Sequence, residues 1–165
     1  MRRLTKKRGR PETQEHGYEV DLVGARQDAL VLASVKSFFG SKGVAKTGFR
    51  GLDDSKPKQQ TSYLIFNEAD VREGIINQAA ERYGYDRAAV QLRLYVGNFA
   101  KGHELAIRQH LKARVPPATV VGLAEIIEHV ERQASSKTYR NDPVVVMMKV
   151  LKKLGWSAPT AKSAR

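Results

Sequence analysis

The sequence predicts an α/β fold: a mixed β-sheet that opens with an antiparallel hairpin and is flanked by helices. Three observations carry this. Two short runs near the start, residues 17–23 and 30–36, have strand character and lie close enough to form a hairpin. Further on, strand-like and helix-like segments alternate, which favours parallel pairing. Hydrophobic residues make up 41% of the 165-residue chain, enough for one core.

The elements follow in order. Tyr18-Glu19-Val20-Asp21-Leu22-Val23 alternates polar and apolar residues. Residues 24–29, with Gly24, read as a turn. Leu30-Val31-Leu32-Ala33-Ser34-Val35-Lys36 is rich in strand formers. Residues 37–61 contain Gly40, Gly43, Gly48, Gly51 and Pro57 among many lysines, and read as a long loop. Asn67 is placed to cap a helix over 68–83, whose apolar face is Val71, Ile75, Ile76, Ala79 and Ala80, with Gly84 as its stop. A third strand is predicted at 90–96 and an amphipathic helix at 101–114, broken by Val115-Pro116-Pro117. A short strand at 119–121, a helix from 123 to about 134 and a last helix over 143–154, with Pro143 in its first turn, complete the chain.

The formal net charge is +12. It is concentrated: residues 1–10 hold six positive charges and no acid, residues 36–60 a net four, and residues 149–165 five. Such clustering favours a polyanionic partner, because phosphates attract Lys and Arg and release counterions on binding. The bland alternative is solubilising tails. There is no Cys, which excludes disulfides and thiolate zinc sites, and the four His show no metal-ligand spacing. No apolar run reaches the length of a spanning helix, and no secretion signal is visible, so a cytoplasmic, nucleoid-associated protein is the default expectation.

Three parts are expected: a basic arm over 1–16, an α/β domain over 17–155 and a basic tail over 156–165. In the arm, Arg8-Gly9-Arg10-Pro11 has the pattern of a minor-groove AT-hook, in which Gly permits close approach and the arginines follow the narrow groove. A generic phosphate-binding arm and a plain tail remain open as alternatives. The lysine-rich loop offers Lys42, Lys46, Arg50, Lys56 and Lys58 to DNA phosphates. Phe38 and Phe39 either stack on bases or anchor the core, and the second reading is preferred.

Glu19 and Asp21 share one face of the first strand, and Ser34 and Lys36 one face of the second. Folding about Arg26-Gln27 sets Asp21 beside Leu32 and Glu19 beside Ser34. Two carboxylates and a lysine at one end of a sheet suit phosphodiester hydrolysis: oxygen ligands hold Mg²⁺, which polarises the phosphate, and an ammonium steadies developing charge. An exposed polar face of an ordinary hairpin is the competing reading.

The run YEVDLVGARQDALVLASVKS resembles the hairpin of the PD-(D/E)XK, or restriction-endonuclease-like, superfamily, nearest to its Holliday-junction-resolvase-like and YraN-like members. The stretch LRLYVGNFAKGHELAIRQHLKA with TVVGLAEIIEHV is similar to the end of Mrr-type enzymes. The resemblance implies a Mg²⁺-dependent DNA endonuclease, with Asp21 and Glu19 on the metal, Lys36 as the catalytic lysine, and a homodimer that cuts both strands. Two departures stand out. Ser34 occupies the place of the motif acid, for which Glu19, or less directly Asp53, Asp54 or Glu68, would substitute. Too little chain precedes Glu19 for the helix that usually comes before the hairpin, so either Glu12 or Glu15 serves in a reduced version or the chain is a truncated or divergent form. A catalytically silent DNA-binding domain is therefore the second expectation, and an RNA-associated basic protein the third.

Overall fold

The structure, a computed structural model, describes residues 18–138 and 142–157. It divides into two units, one ending at Val120 and the other beginning at Val121. The arm, with Arg8 and Arg10, and most of the tail lie outside the described residues.

A four-stranded sheet has the order β1 (Leu22–Arg26), β2 (Ala29–Lys36), β3 (Val90–Val96), β4 (Ala118–Gly122), all of it in the first unit except the last two residues of β4. β1 and β2 are antiparallel and β2 and β3 parallel, so the expected mixed sheet is present. Between β2 and β3 lie α1 (Leu64–Asn67) and α2 (Ala69–Tyr83), and between β3 and β4 lies α3 (Glu104–Lys112). Strand alternation decides the packed face. Leu30 and Leu32 of β2 and Val90, Leu92, Leu94 and Val96 of β3 share a core with Val71, Ile75, Ile76 and Ala80 of α2 and Ile107 and Leu111 of α3. Each large side chain so buried contributes about 1.5–3 kcal/mol.

The hairpin differs from the expectation in register. Leu22 pairs with Ala33 and Arg26 with Ala29, which leaves Gln27-Asp28 as a two-residue turn. Gly24, Ala25 and Arg26, expected in the turn, belong to β1, and β1 starts at Leu22 rather than at residue 17. β1 is an edge strand with every residue exposed, a setting that tolerates glycine.

Two further expectations change. Residues 37–61 are not an open loop. They hold two 3₁₀ turns, Lys46–Gly48 and the first part of Pro57–Tyr63, and they bury Val44 and Phe49 completely. Asn67 does not cap α2, which starts after Glu68. It is a buried tie instead: its Nδ2 donates to the carbonyls of Gly48 and Gln60 at 2.8 Å each, and its Oδ1 accepts from the Arg50 N–H at 2.9 Å. α2 stops as expected at Gly84, whose φ of 71° is a left-handed cap.

The second unit pairs α4 (Leu123–Ser135) with α5 (Pro143–Lys153) through Ala134, Val145 and Met148. The Asp142 carboxylate caps α5, accepting from the N–H groups of Val144 and Val145.

Candidate nucleic-acid interface and reaction site

In open α/β sheets, sites form beyond the carboxyl ends of the strands. Here β2 and β3 run parallel and end together, Lys36 beside Val96, with the Gly97 N–H donating to the Lys36 carbonyl at 2.9 Å. The chain then leaves the sheet and returns to it. Val44 forms an isolated parallel bridge with Phe99, held by Val44 N–H to Asn98 O and Ala100 N–H to Val44 O, both 2.9 Å.

Residues 37–43 therefore form a projecting loop at the sheet end, and it is braced. The Ser41 backbone N–H and hydroxyl both donate to the Phe38 carbonyl, and Asn98 Nδ2 donates to the Ser41 carbonyl at 3.1 Å. Phe38 has a φ of 45°, rare for a residue with a side chain. Neither Phe38 nor Phe39 anchors the core, contrary to expectation: they are 37% and 69% exposed, and the buried aromatic of this region is Phe49. Their loop leaves the sheet before the core resumes at Val44.

Below the loop opens a cleft of about 420 Å³ lined by Phe38, Lys42, Lys56, Gln59, Tyr63 and His103, among others. Tyr63 is buried, and burial pushes its phenol up to about 12, so it stays neutral in the physiological range. Its ring packs over Gly48, where a Cβ would come within 2.6 Å, and lies 4.7 Å from the Phe49 ring. The Lys36 ammonium sits 5.8 Å from the Tyr63 ring centre, a cation–π arrangement that aligns the lysine with the cleft wall. His103 Nδ1 accepts from the Lys46 backbone N–H at 3.3 Å, so in the neutral ring the proton is on Nε2.

Asp21 lies opposite Ser34, a consequence of the register. Its Oδ2 accepts from the Ser34 hydroxyl at 2.9 Å and from the Val35 N–H at 2.6 Å. The expected pairings of Asp21 with Leu32 and of Glu19 with Ser34 are thus replaced. Glu19 is exposed and precedes β1. The other substitutes for the motif acid are engaged elsewhere. Asp53 pairs with Lys46 at 3.6 Å, Glu68 with Arg50 at 2.8 Å, and Asp54 accepts from the Gly51 N–H and Gln60. Hydrogen bonds, from Ser55 for Asp53 and chiefly from Gly51 for Asp54, hold both aspartates below the usual carboxylate range. Among the described residues no group of three or more His, Asp or Glu is placed to hold a metal ion.

Of the basic residues expected to meet DNA, Lys42 and Lys56 line the cleft, Lys58 is exposed nearby, and Lys46 and Arg50 spend their charge on ion pairs. Tyr63 and His103 line the cleft without any sequence signal that marks them for it. Both sit far from the hairpin in the chain, and only the fold brings them to the end of β2.

Comparison with protein-family models, with curated proteins and with solved structures gives no match. The class the fold defines is an α/β protein with a mixed four-stranded sheet. Among the described residues no helix is long and apolar enough to cross a membrane.

Proposed function

We propose that the protein binds DNA and hydrolyses its phosphodiester bonds with the help of a divalent metal. One observation carries the reading: Asp21 is bonded to the Ser34-Val35-Lys36 segment, at the sheet end that adjoins a lysine-lined cleft. Lys42 and Lys56 attract the phosphate backbone. Lys36, packed against the neutral Tyr63, stabilises charge that develops on the phosphate or orients the attacking water. Asp21 receives the metal. Its Oδ2 accepts two hydrogen bonds, which orient the carboxylate as a donor to the metal. That donor set fits Mg²⁺, which is commonly held by one or two carboxylates plus substrate phosphates. Once bound, Mg²⁺ polarises the phosphate toward attack.

A second reading keeps the DNA binding and drops the chemistry. It is favoured by the serine at position 34 and by the finding that, among the described residues, no group of three or more His, Asp or Glu is placed to hold a metal ion.

Plasmid and branched DNA incubated with Mg²⁺ or Mn²⁺ separate the two. Wild type should cut, and Asp21→Asn and Lys36→Ala should each lose roughly 100-fold or more in rate while still binding DNA. Equal cutting by all three proteins would remove these residues from the chemistry. Binding with no cutting on any substrate would establish the silent domain.

A further inference from the structure

We propose that the cleft at the end of β2 takes an unpaired DNA strand, with its phosphates on Lys42, Lys56 and His103 and a base stacked outside the cleft on Phe39, the chain neighbour of the lining residue Phe38. The inference rests on the DNA reading above and names the form of DNA that the site admits.

Two neighbouring aromatics, Phe38 and Phe39, are exposed. Burying a phenylalanine stabilises a fold, and Phe39 forgoes most of that gain at 69% exposure. It is not a loose side chain on a loose loop. Ser41 and Asn98 brace the loop, and the Phe39 ring rests over Gly97, where an added Cβ would come within 2.8 Å of it. The neighbouring Phe38 holds a left-handed φ, a conformation that costs free energy and concentrates where chains bind ligands. The fold thus seats one side of the Phe39 ring on Gly97 and leaves most of the ring exposed.

Phe38, next to Phe39 in the chain, lines a cationic cleft. Lys36, Lys42 and Lys56 are close in the fold, and His103 carries a proton donor on Nε2. Aromatic faces beside a cationic groove are the features that hold single strands, because every base has a face to stack and every linkage a charge to neutralise. A duplex keeps its base faces stacked on one another and offers none to Phe39. Size agrees. At about 420 Å³ the cleft is within the range of pockets that enclose small molecules (about 300–1,000 Å³), which suits a nucleotide unit and not a double helix.

The test uses the full chain and fluorescence anisotropy with a labelled mixed-sequence oligonucleotide of about 16 nucleotides, single-stranded or as its blunt duplex, in EDTA to prevent cutting. The single strand should bind more tightly than the duplex at the same salt. Phe39→Ala should weaken single-strand binding at least about fivefold and leave duplex binding within about twofold, and Phe39→Tyr should restore it. Phe39 is largely exposed, so the variant should melt with the wild type. Duplex preference in the wild type, or an equal loss on both substrates in Phe39→Ala, would overturn the inference. The DNA reading would survive either result if Asp21-dependent cutting persisted. Binding to neither oligonucleotide would overturn both.

Discussion

Asn67→Leu should destabilise the protein by about 2–5 kcal/mol and weaken the proposed DNA binding, although Asn67 is buried and does not line the cleft. The wild-type amide satisfies the buried carbonyls of Gly48 and Gln60 and the partly buried N–H of Arg50. Leucine has similar bulk and no polar atom, so both carbonyls lose their partner without gaining water. Each such loss costs about 1–3 kcal/mol, and the N–H, nearer solvent, adds about 1 kcal/mol. The burial of extra apolar surface returns about 1–2 kcal/mol. The net is a large share of a typical stability of about 5–15 kcal/mol. Function should suffer too, because Gly48 lies under the Tyr63 ring and Gln60 neighbours Gln59 on the cleft wall. Urea denaturation followed by circular dichroism gives the stability, and anisotropy below the transition gives the affinity. Asn67→Asp should be about as damaging, since a carboxylate would face two carbonyl oxygens. A loss below about 1 kcal/mol for both variants would show that the tie carries little, and that residues 44–63 are held by Val44 and Phe49 alone.

Gly43→Ala should cost more than about 2 kcal/mol by the same urea measurement, because φ is +84° and the new Cβ would lie 2.6 Å from the Phe99 carbonyl carbon, a backbone atom with little room to move. Wild-type stability would refute the tight return of the chain to the sheet. Tyr63 should ionise well above the ordinary phenol range, because burial disfavours the phenolate. Its folded value is raised above the ordinary 10.0, so the folded state keeps a proton that the unfolded state has released. Stability from this group is complete below pH 10 and falls as pH rises toward 12. Ultraviolet difference titration of wild type against Tyr63→Phe reads it directly: the missing phenolate signal should lie near pH 12, and a missing signal at pH 10 would contradict the burial.

Much of the fold was legible because periodicity spoke clearly. β3 and α5 combine apolar patterning with capping or breaking residues at their ends, and they fall within a residue or so of expectation. The register of the hairpin was not legible. The expected and observed pairings differ by a slip that leaves Asp21, Ser34 and Lys36 on the same face, so the hydrophobic pattern is equally satisfied by both. Only the turn decides between them, and Gln27-Asp28 is not a strong turn signal. Residues 44–63 defeated the reading for a different reason. Val44, Phe49 and Tyr63 are core residues spaced with neither strand nor helix period, so nothing in the sequence separates them from loop residues. Asn67 shows the limit of local rules. Its type suits a helix cap, but the buried carbonyls of Gly48 and Gln60 recruit it instead.

The serine at position 34 gains a physical role once the register is known. An acid there would set a second carboxylate against Asp21, and two like charges so close favour protonation or a bound cation. Serine removes that repulsion and donates to Asp21 Oδ2, which also accepts from the Val35 N–H. Such charge-assisted bonds fix the carboxylate plane before any ligand arrives. Under the proposed function this shifts the balance of metal binding. A pair of acids would hold Mg²⁺ in the free protein, whereas one oriented carboxylate leaves the remaining positions to water and to the phosphate of the DNA. Metal and DNA affinity then become coupled, each raising the other by the same factor. In that arrangement Lys36 also acts only when substrate is present, because the charge it stabilises belongs to the phosphate. The departure from the acid-x-Lys pattern thus distinguishes a site completed by its substrate from one assembled beforehand.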